Sequence, residues 1–356
     1  MNPAFSETQV LLSASLRDYL TREVPSQRIH ELERTGNYDH EVWSYLAGAG
    51  YLHLPFAPEL GGQGGTLTDL GVLLEELARR PVTVPVGETL ACALAIAKGS
   101  PESAGQIVEA VGRGAMTISP AVLEASDHWN DISLSVVNGS VSGDKRYVDF
   151  GALTSHHLVA AGPAGNSSLH LVQSSDPGVF VRPLASISKT PTANVSYAGA
   201  RGEHVGDADA YQYLLRLCRT LAAVQCLGHS QRALDMTVEY VGVRVQFGRP
   251  IGQFQAVQHH IANMATMVIA ARFLVYEALW KLDSGLASDE DIAAAKAWAS
   301  RTATEVPMMA HQLHGGIGVT NDYDLQFLSR KGKERAVSWG TSEECLGVLA
   351  NQLSPN

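Results

Sequence analysis

Gly61-Gly62-Gln63-Gly64-Gly65 sets four glycines in five residues, and the backbone N–H groups of such a loop could cradle a phosphate. No Lys-Ser or Lys-Thr follows and no apolar strand precedes it, so the P-loop reading fails and a structural turn is expected. The 13 histidines include the pairs His156-His157 and His259-His260. Neither pair has an H-E-x-x-H pattern or a comparable carboxylate partner, so no metal site is expected. Cys92, Cys218, Cys226 and Cys345 lie far apart with no C-x-x-C pair, and read as small buried hydrophobes in a reducing compartment.

The elements that must position any chemistry fall into three textures. Residues 1–115 read as helical: Leu11, Leu12, Leu16, Tyr19 and Leu20 suit one helix face, and Leu70, Leu73, Leu74 and Leu77 form a second, stopped before Pro81. Residues 116–205 read as a small β domain. Ile132 to Val136 alternates strictly, Asn138-Gly139 supplies a type I′ turn, and Val141 resumes; His157–Ala160, Leu169–Val172 and Val179–Val181 are further short strands. Residues 206–356 return to helices, with an apolar stripe of period 3.6 from Ile261 to Leu282 stopped by Gly285. Two more helices are expected, near 290–311 and 343–353.

A length of 356 residues suggests two or three domains and a large core. The charge sum, 26 − 36 = −10, argues against nucleic-acid binding, which favours a basic face. Charged residues make up 17%, below the roughly 25% of typical soluble chains, which points to surface buried between subunits. Apolar runs short of the ~20 residues of a membrane span, and an N-terminal stretch without a signal-peptide pattern, lead to the expectation of a cytoplasmic protein with no membrane span.

Three separated C-terminal segments carry a resemblance. They are Arg244-Val245-Gln246-Phe247-Gly248-Arg249-Pro250-Ile251, Gln255-Ala256-Val257-Gln258, and Gln312-Leu313-His314-Gly315-Gly316-Ile317-Gly318. With Pro58 to Gly65, Leu73-Leu74-Glu75-Glu76-Leu77-Ala78 and Gly340-Thr341-Ser342-Glu343, they resemble the acyl-CoA dehydrogenase family in order and over nearly the whole chain. The resemblance implies an α+β fold: an N-terminal helical domain, a central small β domain and a C-terminal four-helix bundle. It implies FAD at a dimer interface, with one subunit wrapping the flavin ring and its neighbour contacting the adenosine and pyrophosphate end. The implied cofactor residues are Arg244, Phe247, Gln255, Gln312, Leu313, His314, Gly315, Gly316 and Thr341. Their chemistry suits a dinucleotide. Arg244 offers five donors for bidentate phosphate binding, the glutamines can bond pyrophosphate or ribose, and Gly315-Gly316 permits close backbone approach.

Departures from the family pattern are as informative. Trp339 stands where the family's catalytic Glu precedes G-T-S, and Trp is a donor only. The alternative base position, beside the retained Arg219, holds Cys218. The β-domain pattern that reaches the flavin ring is reduced to Ile118-Ser119-Pro120 and Ala125-Ser126-Asp127, and the family's W-I-T is replaced by Tyr147-Val148-Asp149. No catalytic residue is therefore assigned in this chain, and Arg219 is taken as a substrate-side anion contact, with a structural role as its alternative. The expectation is the non-catalytic partner in a heteromeric α2β2 acyl-CoA dehydrogenase, lending FAD contacts to a catalytic subunit. Its substrate would be an acyl-CoA, with a steroid side-chain thioester one option, and its acceptor an electron-transfer flavoprotein. The alternatives are a self-sufficient homo-oligomeric enzyme with Cys218 or Glu344 as a relocated base, and a flavin-free acyl-CoA-binding or scaffold protein.

Overall fold

A computed structural model describes residues 4–129, 131–163 and 166–353. Helices occupy both ends of the chain and a sheet the middle. The N-terminal helices are α1 (Glu7–Glu23), α2 (Ser26–Thr35), α3 (His40–Gly48), α4 (Leu67–Arg79), α5 (Val86–Gly99) and α6 (Pro101–Gly112). The strands β1 (Ile118–Ala121), β2 (Ser135–Val137), β3 (Ser140–Asp149), β4 (His156–Ala161), β5 (Ser168–Gln173), β6 (Val179–Leu184) and β7 (Thr192–Gly206) follow. Then come α7 (Ala208–Val243), a hairpin of β8 (Val245–Gln246) and β9 (Arg249–Pro250), α8 (Gln255–Asp283), α9 (Asp289–His314), α10 (Leu325–Val337) and α11 (Ser342–Leu353).

The chain divides into two compact units, one of residues 1–29, 67–82 and 219–356, the other of residues 30–66 and 83–218. In the first, α9 packs against α8, α10 and α11, and α4 packs against α1 and α8. Gly71 permits the α4–α8 contact, because a Cβ there would lie 2.5 Å from Leu279 Cδ1. The Glu75-Glu76 pair of α4 is buried and fully engaged. Arg272 of α8 forks onto both Glu75 oxygens at 2.8 and 2.6 Å, Tyr276 adds a third bond at 2.8 Å, and Glu76 takes Arg17 and Ser13 of α1. These carboxylates join helices; a buried, bidentate Arg–carboxylate pair is strong and geometrically specific. By length and composition alone α8 could pass for a membrane span, contrary to the expectation from apolar run lengths. Here Met264, Val268, Ala271, Val275 and Leu279 of α8 are buried in the unit's core.

In the second unit the sheet runs β1-β4-β5-β7-β3-β2, with β6 also paired to β7; β1 and β4 are parallel and the remaining pairs antiparallel. Asn138 and Gly139 both have positive φ (51° and 76°), as the expected I′ turn requires. The strand expected from Ile132 starts only at Ser135. The reason is Glu124, whose carboxylate takes the Ser133 and Leu134 N–H groups at 2.9 and 3.0 Å and so removes them from any ladder. The same carboxylate receives Lys145 Nζ of β3 at 2.7 Å, an ion pair buried beneath the loop. Periodicity does not mark β1 or the long β7 as strands; β7 carries glycines at 199, 202 and 206 and few β-branched residues.

Candidate functional site

Arg244 follows the last turn of α7. Its N–H bonds Tyr240 O and its carbonyl accepts from Ile251 N–H, which closes the β8–β9 hairpin. Phe247 and Gly248 form the two-residue turn, both at positive φ (51° and 80°), and the Phe247 side chain is 93% exposed. Arg249 covers the Phe254 ring at 4.3 Å, and Gln255 opens α8 directly after it. Arg244 and Gln255 are exposed, and among the described residues neither side chain has a partner.

The second expected segment ends α9. Gln312, Gly315 and Gly316 are exposed and Leu313 is half-buried. Gly315 has φ 62° and ψ −142°, a backbone state essentially restricted to glycine, and a Cβ at either glycine would meet only open space. His314 differs: its side chain is buried, Nδ1 lies 2.8 Å from Ala310 O, and burial lowers its pKa, so the ring is a neutral packing element. Any contact His314 offers a ligand is confined to its backbone. Its ring stacks on Tyr240 at 4.4 Å and 22°, one turn before Arg244, so the hairpin and the end of α9 are tied together.

The third segment is the turn after α10. Trp339 has φ 61°, costly for a bulky residue, and two cations hold it there. Arg219 Nε donates to Trp339 O at 2.9 Å, and the buried Lys296 Nζ donates to Gly340 O and Ala336 O at 2.9 Å, Arg335 O at 3.1 Å and Ser300 Oγ at 2.8 Å. Burial lowers the Lys296 pKa, and its bonds are all to uncharged oxygens. Thr341 and Glu344 form a capping box for α11: Glu344 N–H donates to Thr341 Oγ1 at 3.2 Å and Thr341 N–H to Glu344 Oε2 at 2.6 Å. Glu344 therefore acts as a helix cap. Cys218 is buried near Cys92, whose own thiol burial pushes well up. Apart from the bond to Trp339, the half-buried Arg219 guanidinium has no partner among the described residues.

In the β domain, Ser119 is fully buried; its hydroxyl donates to Asp149 O at 2.6 Å and lies 2.9 Å from Thr154 Oγ1. Pro120 has no N–H to offer. Asp149 accepts from Thr192 Oγ1 at 3.1 Å, and Tyr147 is 57% exposed at φ 53°. The expected residues thus separate into an exposed set (Arg244, Phe247, Gln255, Gln312, Gly315, Gly316) and a set whose polar groups are consumed internally. Sequence reasoning misses Lys296, because a lone lysine in an alanine-rich helix carries no signal of its role.

Comparison with known proteins gives the same placement. Residues 6–118 match the acyl-CoA dehydrogenase N-terminal domain and residues 208–354 the acyl-CoA dehydrogenase C-terminal domain. Among characterised relatives, acyl-CoA dehydrogenase FadE27 of Mycobacterium tuberculosis is 30% identical, over 86% of this chain and 86% of its own. Acyl-CoA dehydrogenase IpdE2 of the same organism is 30% identical, over 89% and 87%. Among solved structures, a variant of the Tcur3481–Tcur3483 steroid ACAD superposes with TM-score 0.92 at 30% identity over 98% of both chains. The ChsE4–ChsE5 complex of M. tuberculosis superposes with TM-score 0.93 at 26% identity over 100% of both chains. Family members are FAD-dependent oxidoreductases that act on the CH–CH bond of acyl-CoA thioesters. With both domain matches, 30% identity across most of the length and the same fold, the chain belongs to the acyl-CoA dehydrogenase family.

Proposed function

We propose that this chain is the subunit without a base of its own in a heteromeric, FAD-dependent acyl-CoA dehydrogenase, read along its length as segments 1–115, 116–205 and 206–356. Arg244, Phe247, Gln255, Gln312, the Leu313–Gly316 backbone and the hydroxyl hydrogen that Thr341 keeps after capping α11 complete the FAD site of a catalytic partner in an α2β2 assembly. One observation carries the reading: the polar members Arg244, Gln255 and Gln312 stand on the surface with unpaired side chains, free to reach a cofactor held by another subunit. The half that would hold a flavin ring within this chain does not fit. The Ser119 hydroxyl is spent on Asp149 O, Pro120 has no donor, and Asp149 brings a carboxylate to a ring that turns anionic on reduction.

Bound in the complex, FAD supplies the hydride acceptor for desaturation; the α-proton base belongs to the partner, because Trp339 cannot accept a proton and Glu344 is committed to a helix cap. The substrate is an acyl-CoA, and the steroid ACAD among similar structures favours a steroid side-chain thioester. An electron-transfer flavoprotein takes the electrons, in the cytoplasm. The test is flavin absorbance of the chain purified alone and with its partner. The chain alone is expected to be colourless and the complex yellow, with Arg244→Gln weakening FAD retention by roughly tenfold or more through a lost charge-assisted phosphate contact. Stoichiometric FAD and turnover in the isolated chain would establish the self-sufficient alternative instead.

A further inference from the structure

His170 of β5 and His204 of β7 stand directly opposite each other in the sheet of the second unit. Side chains at such positions share a face, with Cβ atoms about 5 Å apart. The ladder beside them is irregular: Leu169 pairs with Gly206 and His170 with His204, which leaves Val205 as an extra residue. A bulge of this kind bends the strand and re-aims the side chains next to it. Asp207 follows at once, and its Oδ1 lies 3.0 Å from His204 Nε2.

Each imidazole is engaged through Nε2 alone. A carboxylate only accepts, so neutral His204 donates its Nε2–H to Asp207 and keeps a lone pair on Nδ1. The Ser168 hydroxyl donates to Ala161 O at 3.5 Å, so its oxygen accepts the His170 Nε2–H at 3.0 Å and His170 also keeps its lone pair on Nδ1. Among the described residues neither Nδ1 has a hydrogen-bond partner. Water can reach His204, which is 54% exposed, but His170 is 6% exposed and its Nδ1 is a buried acceptor with no donor. Such buried orphans are rare. Burial also holds the His170 pKa down at about 4, so at neutral pH the ring is in the uncharged form that can ligate. The ring centroids are 5.4 Å apart with planes inclined at 74°. Two imidazoles on one ion, at Zn–N distances of about 2.0–2.1 Å, have centroids about 5.2 Å apart at a tetrahedral angle and about 4.5 Å apart at a right angle. The observed spacing fits the tetrahedral case. Nitrogen donors at that angle favour zinc over square-planar copper(II) and over oxygen-seeking magnesium or calcium. Asp207 and Ser168 stand behind the rings as the outer partners that orient ligating histidines. No group of three His, Cys, Asp or Glu forms a metal cluster among the described residues, so water would take the remaining positions.

We propose that His170 and His204 form a two-histidine zinc site that clasps β5 to β7, with Asp207 and Ser168 as its positioning residues. None of the residues offered to the partner's cofactor takes part, so this inference stands or falls separately from the proposed function. The experiment is calorimetric titration of the full, untagged chain with zinc chloride, together with thermal melting across the same zinc concentrations. One zinc should bind at this site, and the melting temperature should rise with zinc, because an ion held only by the folded sheet stabilises it. His204→Ala, at an exposed position, should weaken this binding at least tenfold and abolish the rise. Asp207→Asn should weaken it roughly tenfold or more through the lost outer carboxylate. Replacing His259 and His260 of α8 together by Ala should change neither readout. No rise at millimolar zinc, a rise that survives His204→Ala, or one lost with the α8 pair instead would overturn the proposal.

Discussion

His157 shows what burial does to one titratable group. Its Nε2 lies 2.8 Å from Gly151 O and its Nδ1 3.0 Å from the Tyr197 hydroxyl, and burial holds its pKa down at about 4. The unfolded chain takes up this proton near 6.5, so between pH 6.5 and 4 unfolding binds more protons than the folded state does. Stability therefore falls as the pH drops through that window, with a slope of about 1.4 kcal/mol per pH unit per such histidine. His157→Gln should flatten the decline in melting temperature measured from pH 7 to 4.5. Lys296 poses the opposite case, a cation buried for its donors. Lys296→Met leaves the Gly340 and Ala336 carbonyls unsatisfied, at roughly 1–3 kcal/mol each. Urea denaturation should show a loss of that order, with amide exchange accelerating first at residues 340–345. The sequence marks Arg244 and Trp339 by motif, yet it does not show that Glu344 caps a helix or that His314 faces inward. Those assignments depend on side-chain direction, which residue identity does not encode.

At the scale of elements, helices with an apolar stripe were legible: α1, α4 and α8 lie where their periodicity places them, and α9 and α11 where helices are expected near 290–311 and 343–353. The short strands β4, β5 and β6 were as well. What escaped were elements defined by their neighbours. β7 forms three ladders despite weak intrinsic propensity, and Ile132–Leu134 lost its ladder to a carboxylate ten residues away. α7 likewise depends on one small residue. A Cβ on Gly228 would lie 2.6 Å from Glu75 O and 2.7 Å from Ala78 Cβ, so α7 and α4 meet through hydrogen alone. Gly228→Val should force these helices apart and destabilise the chain by roughly 1–3 kcal/mol or more, read as a lower urea midpoint. Gly315→Ala should cost about 1–3 kcal/mol of backbone strain at the end of α9. Its larger effect is expected on FAD retention by the complex.

For the whole molecule, a low charged fraction pointed to association, and the surface agrees in kind. Ile269, Phe273 and Trp280 of α8 are 55%, 50% and 37% exposed at spacings of one helix face, and Met308 of α9 is 66% exposed. Sedimentation should find the chain assembled, and Phe273→Asp should shift it toward smaller species without loss of helical signal. Family membership was legible from the order and spacing of several separated motifs across the chain.

The place of β7 in the chain also bears on how the protein is made. It is the last strand of the large sheet to be synthesised, yet β3, β5 and β6 all pair with it. Until residues 192–206 have left the ribosome, β6 lacks its β7 partner, and the β2–β3 hairpin and the β1-β4-β5 ladder are separate pieces with open edges. Completion of the sheet is thus a late, single event during translation. A nascent chain stalled before Thr192 would expose three strand edges at once, which makes that interval the one in which a chaperone has most to protect.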